Sequence, residues 1–218
     1  IEKGKISISN GLVKSIVAGQ GGFAYVSYDC DIKFEKIDIS EVEVSNGGLL
    51  YIDETNRLTL KRLTLNRFKA AENSAGILIN NLIFEFFVED VSFIDFTSKN
   101  LGTVYLAIDS ESTRVSFKRM VFQRNFALKG ACFFFISSSD IHLEDVSIFK
   151  AGENIISFNR PKLVNITNIS IDSCKTNFLE HQNLLAFVQC NQIILVKNLK
   201  ISNTEPVSYT HLAGDSQM

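Results

Sequence analysis

The sequence has no tryptophan, only 2 prolines among 218 residues, and no long apolar run. Its longest uninterrupted run of small or apolar residues extends from Ala131 to Ile136. A transmembrane helix needs about 20 such residues, so we expect no membrane span in this sequence. Proline is typical of linkers, and its scarcity beside 18 phenylalanines indicates an ordered, packed chain.

The chain also has little net charge and few cysteines. With 22 basic and 24 acidic residues its net charge is −2, which gives no electrostatic attraction for nucleic acid or for an anionic membrane surface. The cysteines form no CxxC pair and no close pairing with histidine, so we predict no metal site, and no cofactor motif is present. All of them fit small core residues, with a Cys174 to Cys190 disulfide as the alternative.

A short unit recurs along the chain, in which two alternating apolar residues, two polar residues and two more alternating apolar residues follow one another. The first complete copy, IKFEKIDI, begins at Ile32. Later copies begin at Leu58, Phe86, Val115, Ile141, Val164 and Ile194, and a degenerate copy begins at Ile6. The starts lie 23 to 30 residues apart, and repetition at such a period is typical of solenoid proteins.

The alternation within each unit predicts a β-strand on either side of the polar pair, and the polar pair predicts a corner. A third strand follows about fourteen residues downstream, usually after glycine, as at Gly21 and Gly47. Glycine there suits a tight bend with positive φ. Stacking such coils buries one continuous core, so the sequence predicts an all-β fold: a single-stranded parallel β-helix of about 7 to 8 coils of about 26 residues. The general handedness of parallel β connections predicts right-handed winding.

The corner residues form a charge pattern along the predicted stack. The first corner position reads Glu35, Lys61, Glu89, Lys118, Glu144, Thr167 and Lys197. The sign alternates over the first five copies, so opposite charges would meet in adjacent coils. We predict a salt-bridge ladder that helps to fix the register of the coils.

The pattern resembles right-handed parallel β-helix repeat proteins of the pectin-lyase-like type, and more narrowly the repeats of polymorphic outer membrane proteins. Those repeats carry an FxxN element followed by a GGA[ILV] element. Residues 122–125 (Phe-Gln-Arg-Asn) match the first, and Gly130 with Ala131 partly matches the second. The resemblance implies a cell-surface or secreted ectodomain used as a scaffold or for adhesion. The richness in Asn, Ile, Lys and Phe is also similar to large surface proteins of ciliates.

On this interpretation residues 1–205 form one repeat domain and residues 206–218 do not continue it. Within the tail, the segment VSYTHL from Val207 to Leu212 resembles the translated transposase end sequence used in preparing sequencing libraries. We therefore expect the tail not to be part of the natural gene. No capping segment is evident at either end of the stack, which predicts a fragment of a longer chain.

The outward positions of the repeat supply few side chains suited to catalysis. Parallel β-helices include polysaccharide lyases and glycoside hydrolases, which resemble one another in clustering carboxylates outside adjacent coils, and hydrolysis commonly needs two carboxyl groups about 5 to 10 Å apart. The outward positions of the first two strands supply only one carboxylate, Asp38, and one histidine, His142, with no acidic column beside it. We favour a non-catalytic protein, with a lyase or hydrolase of the pectin-lyase-like fold as the alternative.

Two features are candidates for binding or modification. The third strands align Tyr25, Tyr51, Ile79, Tyr105 and Phe133 in one column, and the neighbouring column is Val26, Ile52, Asn80, Leu106 and Phe134. If the second column faces the core, then Tyr25, Tyr51 and Tyr105 form an outward ligand-binding stripe. The alternative is that the tyrosines line the core or only shield this strand. Two sequons make Asn165, on a strand, and Asn168, at a corner, candidates for glycosylation.

Together these features predict a non-catalytic repeat segment, and the resemblance implies that it belongs to an extracellular or cell-surface protein. It would act as a rigid scaffold, an adhesion surface or a ligand-binding surface, with glycans or surface proteins as partners.

Overall fold

The computed structural model describes residues 4–26, 30–74, 76–108, 112–127, 131–137, 139–152, 154–174, 184–189 and 193–204, and within these ranges the chain forms strands and turns but no helix. The strands are, in chain order, β1 (Gly4–Gln20), β2 (Ala24–Val26), β3 (Cys30–Asn46), β4 (Leu50–Ile52), β5 (Thr55–Asn73), β6 (Ile77–Ile79), β7 (Leu82–Ser98), β8 (Val104–Ile108), β9 (Arg114–Gln123), β10 (Phe133–Ser137), β11 (Asp140–Phe149), β12 (Ile156–Asn159), β13 (Leu163–Asp172), β14 (Leu185–Val188) and β15 (Ile193–Ser202). The predicted tail, residues 206–218, lies outside the described residues.

The strands form two parallel sheets in which each strand pairs with its equivalent one coil away. The odd-numbered strands, from β1 to β15, make an 8-stranded sheet in strict sequence order, and the even-numbered strands, from β2 to β14, make a 7-stranded sheet in the same order. The chain therefore winds as a parallel β-solenoid of about 7 turns. This confirms the predicted fold class and repeat.

The register of the larger sheet follows the sequence repeat. Ile6 pairs with Ile32, and Ile32 pairs with Leu58, so equivalent residues are stacked one above another. The side chains of Ile32 and Leu58 are buried, whereas the outward neighbour Lys33 is exposed. The alternation seen in the sequence thus separates core from surface, as predicted for strands with one buried face.

The polar pair of each unit marks a corner, as predicted. Its second residue adopts the left-handed backbone conformation in every coil, with φ between 52° and 58°. These residues are Asn10, Lys36, Arg62, Asp90, Arg119, Asp145, Asn168 and Asn198. Asn and Asp tolerate this conformation, whereas it costs other residues about 1 to 2 kcal/mol, so neighbouring contacts must hold the Lys and Arg corners in place.

A second left-handed corner lies five residues after the first, and the repeat analysis missed it. Its residues are Ser15, Glu41, Arg67, Asp95, Arg124, Lys150, Ser173 and Asn203. In β1, β3, β5 and β7 the strand continues past this corner, and Val42 and Val44 of β3 are buried there. The residue types at this corner share no common signature, and only four coils extend a strand beyond it, so the sequence signal is weak.

Glycine at the entry to the smaller sheet has the predicted role. Gly47 has a φ of +62°, and a Cβ on it would lie 2.7 Å from the carbonyl oxygen of Leu50. An L side chain is therefore excluded by both the backbone conformation and the space. In the next coil Ser74 occupies the equivalent place with a φ of 33°, and its hydroxyl donates to the carbonyl oxygen of Ile77.

Phenylalanine rings from successive coils fill the middle of the core. Phe122 stacks on Phe93 with ring centroids 5.0 Å apart, and it meets Phe133 edge to face at 4.6 Å. Phe133 belongs to the six-residue apolar run, most of which forms β10, and Phe133 and Phe135 are buried there, so the run is a strand and not a helix. Ring pairs at these distances contribute about 0.5 to 1.5 kcal/mol beyond their buried area.

Asn125, the asparagine of the FxxN element, lies where the coils become shorter. Asn125 is fully buried, and its Oδ1 accepts a hydrogen bond from the backbone N–H of Phe96 at 3.2 Å. Its Nδ2 donates to the carbonyl oxygen of Phe93 at 3.3 Å. Strand β7 runs beyond its second corner whereas β9 ends there, so this side chain satisfies backbone groups that the shorter strand leaves unpaired.

Two contacts of the predicted charge ladder are present at the first corner. Lys61 pairs with Glu89 at 3.1 Å, and Lys118 pairs with Glu144 at 3.0 Å. Residues from the second corner position join it, because Arg119 donates to Glu89 at 2.5 Å and to Asp90 at 2.6 Å. The ladder therefore links both positions of the polar pair across neighbouring coils.

Removing one ring from the core should strongly destabilise the solenoid. We expect Phe122→Ala to lower the free energy of unfolding by about 3 to 5 kcal/mol, because it leaves a cavity between Phe93 and Phe133. The matched control Phe84→Ala removes a ring that is 52% exposed and should cost less than about 1 kcal/mol. Urea unfolding followed by circular dichroism measures both, and equal losses would contradict the packing described.

Two asparagines make a paired test of the capping contact. Asn125→Ala should lower the free energy of unfolding by about 1 to 3 kcal/mol, because it leaves the Phe96 N–H buried and unsatisfied. Asn66→Ala should be neutral within about 0.5 kcal/mol or slightly stabilising, since the Asn66 Oδ1 is buried and has no hydrogen-bond partner among the described residues. Thermal and urea unfolding of the two variants would contradict this account if Asn66→Ala were the more damaging.

Candidate functional site: an aromatic column and a corner groove

The outward tyrosine column exists, with a corrected register. Strand pairing aligns Tyr25 with Tyr51, then Leu78, Tyr105 and Phe134. The sequence alignment had placed Ile79 and Phe133 in this column, which is wrong by one residue at each point. The sequence alignment matched Gly76 with Gly48 and so placed equivalent residues 28 positions apart, whereas strand pairing places Leu78 opposite Tyr51, 27 positions away.

The same correction moves the core-facing column. The residues that face inward from the smaller sheet are Val26, Ile52, Ile79, Leu106, Phe135, Phe158 and Phe187. Asn80 had been assigned to this column, but it follows β6 and is exposed. With it removed, the inward column is entirely apolar, and the tyrosines face outward as expected from the alternation of a strand.

The rings of the outward column stack in two pairs. Tyr25 lies on Tyr51 with centroids 5.3 Å apart, and Tyr105 lies on Phe134 at 5.8 Å. Leu78, which is only 5% exposed, separates the pairs. Tyr25 is 49% exposed, and partial burial raises the pKa of Tyr105 above its ordinary value. The column therefore presents ring edges and hydroxyl groups on a rigid support.

Polar side chains border the first ring pair. The Tyr25 hydroxyl donates to Asp53 Oδ2 at 2.5 Å. Asn80 Nδ2 donates to Asp53 Oδ1 at 3.2 Å and to the Tyr51 hydroxyl oxygen at 3.4 Å. Asp53 and Asn80 follow the third strands of adjacent coils, so the strand register places a carboxylate and an amide beside two aromatic rings. Sequence reasoning missed this pair because it had placed Asn80 in the core.

The two sequon asparagines differ in their surroundings. Asn168 occupies a left-handed corner, where its Nδ2 donates to Asp145 Oδ1 and its Oδ1 accepts from Asn198 Nδ2, both at 2.8 Å. Asn165 is half-buried on β13 between His142 and Leu195 of the adjacent strands. Asn168 therefore has a structural role in a polar ladder, and glycosylation of either residue stays a prediction.

The residues considered for catalysis do not come together. Asp38 is exposed and outward as predicted, and its neighbours in the adjacent strands are Leu12 and Thr64. His142 lies on β11 between Ser116 and Asn165. Among the described residues no three His, Cys, Asp or Glu side chains are close enough to hold a metal ion.

The cysteines that the structure describes lie in the interior. Cys30, Cys132 and Cys174 are buried free thiols, and burial raises the pKa of Cys132 well above its ordinary value. Cys190 lies outside the described residues, so the alternative disulfide with Cys174 stays untested.

A groove of about 610 Å³ follows the second corner across the first four coils. One wall is formed by the corner residues Ser15, Glu41, Arg67 and Asp95. The other wall is the outward column Val17, Glu43, Lys69 and Thr97, which strand register aligns coil by coil. The lining between the walls is mostly apolar. The sequence analysis missed this groove because it had not found the second corner, which forms one of the two walls.

The corner wall neutralises its own charges. Arg67 Nη2 donates to Glu41 Oε1 at 2.6 Å, and the Ser15 hydroxyl donates to Glu41 Oε2 at 2.8 Å. Asp95 pairs with Arg124 of the next coil, whose Nη2 donates to Asp95 Oδ2 at 2.8 Å. These hydrogen bonds to Arg124, with its positive charge, hold the pKa of Asp95 below its ordinary value of 3.8.

No protein-family model, curated protein or solved structure matches the chain, so the comparisons assign it to no family. No helix capable of crossing a bilayer is found among the described residues.

The Asp95–Arg124 pair predicts a defined pH dependence of stability. Because the folded-state pKa of Asp95 is lowered, its contribution is present above pH 3.8 and is lost as the pH falls through the folded pKa. Arg124→Gln should bring the pKa of Asp95 back toward 3.8 and reduce stability at pH 6 more than at pH 2. Carboxyl NMR titration and urea unfolding at both pH values measure this, with Arg57→Gln as the control. An unchanged Asp95 titration in Arg124→Gln would contradict the pairing.

Proposed function

We propose that this chain is a non-catalytic β-solenoid segment of an extracellular or cell-surface protein, and that it binds glycans along the outward aromatic column. The observation that carries the proposal is the arrangement of Tyr25 and Tyr51 beside Asp53 and Asn80. Sugars present both apolar C–H groups and hydroxyl groups, and this surface offers both aromatic rings and hydrogen-bonding groups.

The rigidity of the support favours a binding role. The rings project from a sheet whose opposite face is fully packed, so Ile52 and Leu106, which lie next to Tyr51 and Tyr105, are 0% exposed. A surface held in this way loses little conformational entropy when a ligand binds. Aromatic contacts repeated along adjacent coils also suit a polymer better than a small compact molecule.

Several finer features belong to the same proposal. Right-handed winding, a pectin-lyase-like type and kinship with surface repeat proteins rest on the general handedness of parallel β connections and on the sequence resemblance. The extracellular location rests on that resemblance alone.

Replacing rings of the column should weaken glycan binding while leaving the fold intact. We expect Tyr25→Ala, Tyr51→Ala and Tyr105→Ala each to reduce affinity at least about fivefold, since each removes a partly exposed ring. Thr64→Ala, an exposed outward position on the larger sheet, should have no effect. A glycan array probed with the labelled 218-residue chain, followed by titration calorimetry on the best ligand, measures this. Binding unchanged in all three tyrosine variants, or no glycan bound at all, would refute the proposal.

A further inference from the structure

We propose that the corner groove is a second binding site, separate from the aromatic column, and that it takes an extended peptide carrying one basic and one acidic side chain two positions apart. The groove lies on the larger sheet, whereas the aromatic column lies on the smaller one. The two sites share no residue, so each can be tested without the other.

The charges available to a ligand lie on the second wall of the groove, the outward column of Val17, Glu43, Lys69 and Thr97. Glu43 and Lys69 are exposed and face outward from β3 and β5, at positions paired in the strand register. Neither forms an ion pair or a side-chain hydrogen bond with any residue that the structure describes. The carboxylates of the corner wall are already engaged, Glu41 by Ser15 and Arg67 and Asp95 by Arg124 of the next coil. The groove therefore offers an incoming ligand one exposed carboxylate, Glu43, and one exposed ammonium group, Lys69, which lie side by side on adjacent strands.

The spacing of these groups fits an extended polypeptide. Neighbouring strands lie about 4.8 Å apart, and side chains two positions apart on an extended peptide lie about 6.6 to 7 Å apart. The flexible arms of Glu43 and Lys69 span the difference. A peptide running across the coils would direct its first and third side chains to Glu43 and Lys69. Its middle side chain would face the corner wall, where no charge is required.

Other classes of ligand fit this charge pattern less well. The carboxylates of an acidic polysaccharide would be repelled by Glu43, and the cationic groups of a polycation would be repelled by Lys69. A neutral glycan would leave both charges without a partner while they lose part of their hydration. A flat membrane surface does not enter a groove. A peptide is the polymer that combines both signs of charge with apolar groups, and the groove has a mostly apolar lining.

A set of fluorescein-labelled nonapeptides tests the proposal by a switch in specificity. Each peptide carries a central charged–uncharged–charged triplet, with Val, Leu or Ser in the middle and all combinations of Lys and Glu outside. We expect the mixed-charge peptides to bind the 218-residue chain most tightly in fluorescence anisotropy. In Lys69→Glu the Lys/Lys peptides should become preferred, and in Glu43→Lys the Glu/Glu peptides, with mixed-charge affinity falling about threefold to thirtyfold.

Two matched control variants test whether the change in peptide preference depends on the groove. Asp38→Lys and Lys200→Glu make the same charge changes at exposed positions outside it and should leave the peptide preference unchanged. Thermal unfolding checks that every variant is folded. Tyr51→Ala should not alter peptide binding, which separates this site from the glycan proposal.

Three results would overturn the inference. The first is that no peptide of the set binds up to millimolar concentration. The second is that the preference does not switch in the Glu43 and Lys69 variants. The third is that sedimentation shows a dimer that these variants abolish, which would assign the groove to a second copy of the chain.

Discussion

The structure depends on one constraint, which is that each coil must lie in register on the next. A single coil of about 26 residues cannot bury its own apolar side chains, so the core exists only between coils. Parallel backbone pairing sets a spacing of about 4.8 Å, and at that spacing identical positions contact one another. Columns of like residues follow directly, as in the stacked rings of Phe93 and Phe122.

The surface follows from the same stacking. Charges that alternate along a column become ion pairs, as in Lys61 with Glu89, and asparagines become amide ladders, as in Asn168 with Asn198. Exposed ion pairs contribute little to stability individually. Their value in this fold is specificity, because a misplaced coil would bring like charges together. At the left-handed corners occupied by Arg119 and Arg124, ion pairs to the adjacent coil also offset local backbone strain.

Differences between coils create the two proposed binding surfaces, the aromatic column and the corner groove. The aromatic column arises because one outward position of the smaller sheet is occupied by rings in four of its first five coils. The groove arises because only the first four coils continue a strand past the second corner. Both surfaces are departures from strict repetition, and Asn125 satisfies the backbone at the point where the longer coils give way to shorter ones.

The solenoid, the columns of the larger sheet, the first corner and part of the first charge ladder could all be predicted from the sequence pattern. Alternation and period are local properties that survive in a one-dimensional pattern, so Ile32, Leu58 and Phe86 could be aligned without coordinates. The register of the smaller sheet could not be predicted in this way, because the alignment on Gly76 was one residue out and placed Asn80 in the core and Ile79, instead of Leu78, in the outward column. The sequence pattern also missed the second corner and its groove.

The register of the smaller sheet and the second corner depend on contacts between coils, which a local sequence pattern does not contain. Strands of three to five residues carry too little alternation to define their own register, and neighbouring coils fix it by backbone pairing and packing. The second corner has no preferred residue type, and its side chains are held by contacts across the coils, as in Arg67 with Glu41 and Arg124 with Asp95. The partners of each charge lie about 26 residues away in sequence, and only the stacked fold shows that Glu43 and Lys69 lie side by side and form no ion pair among the described residues.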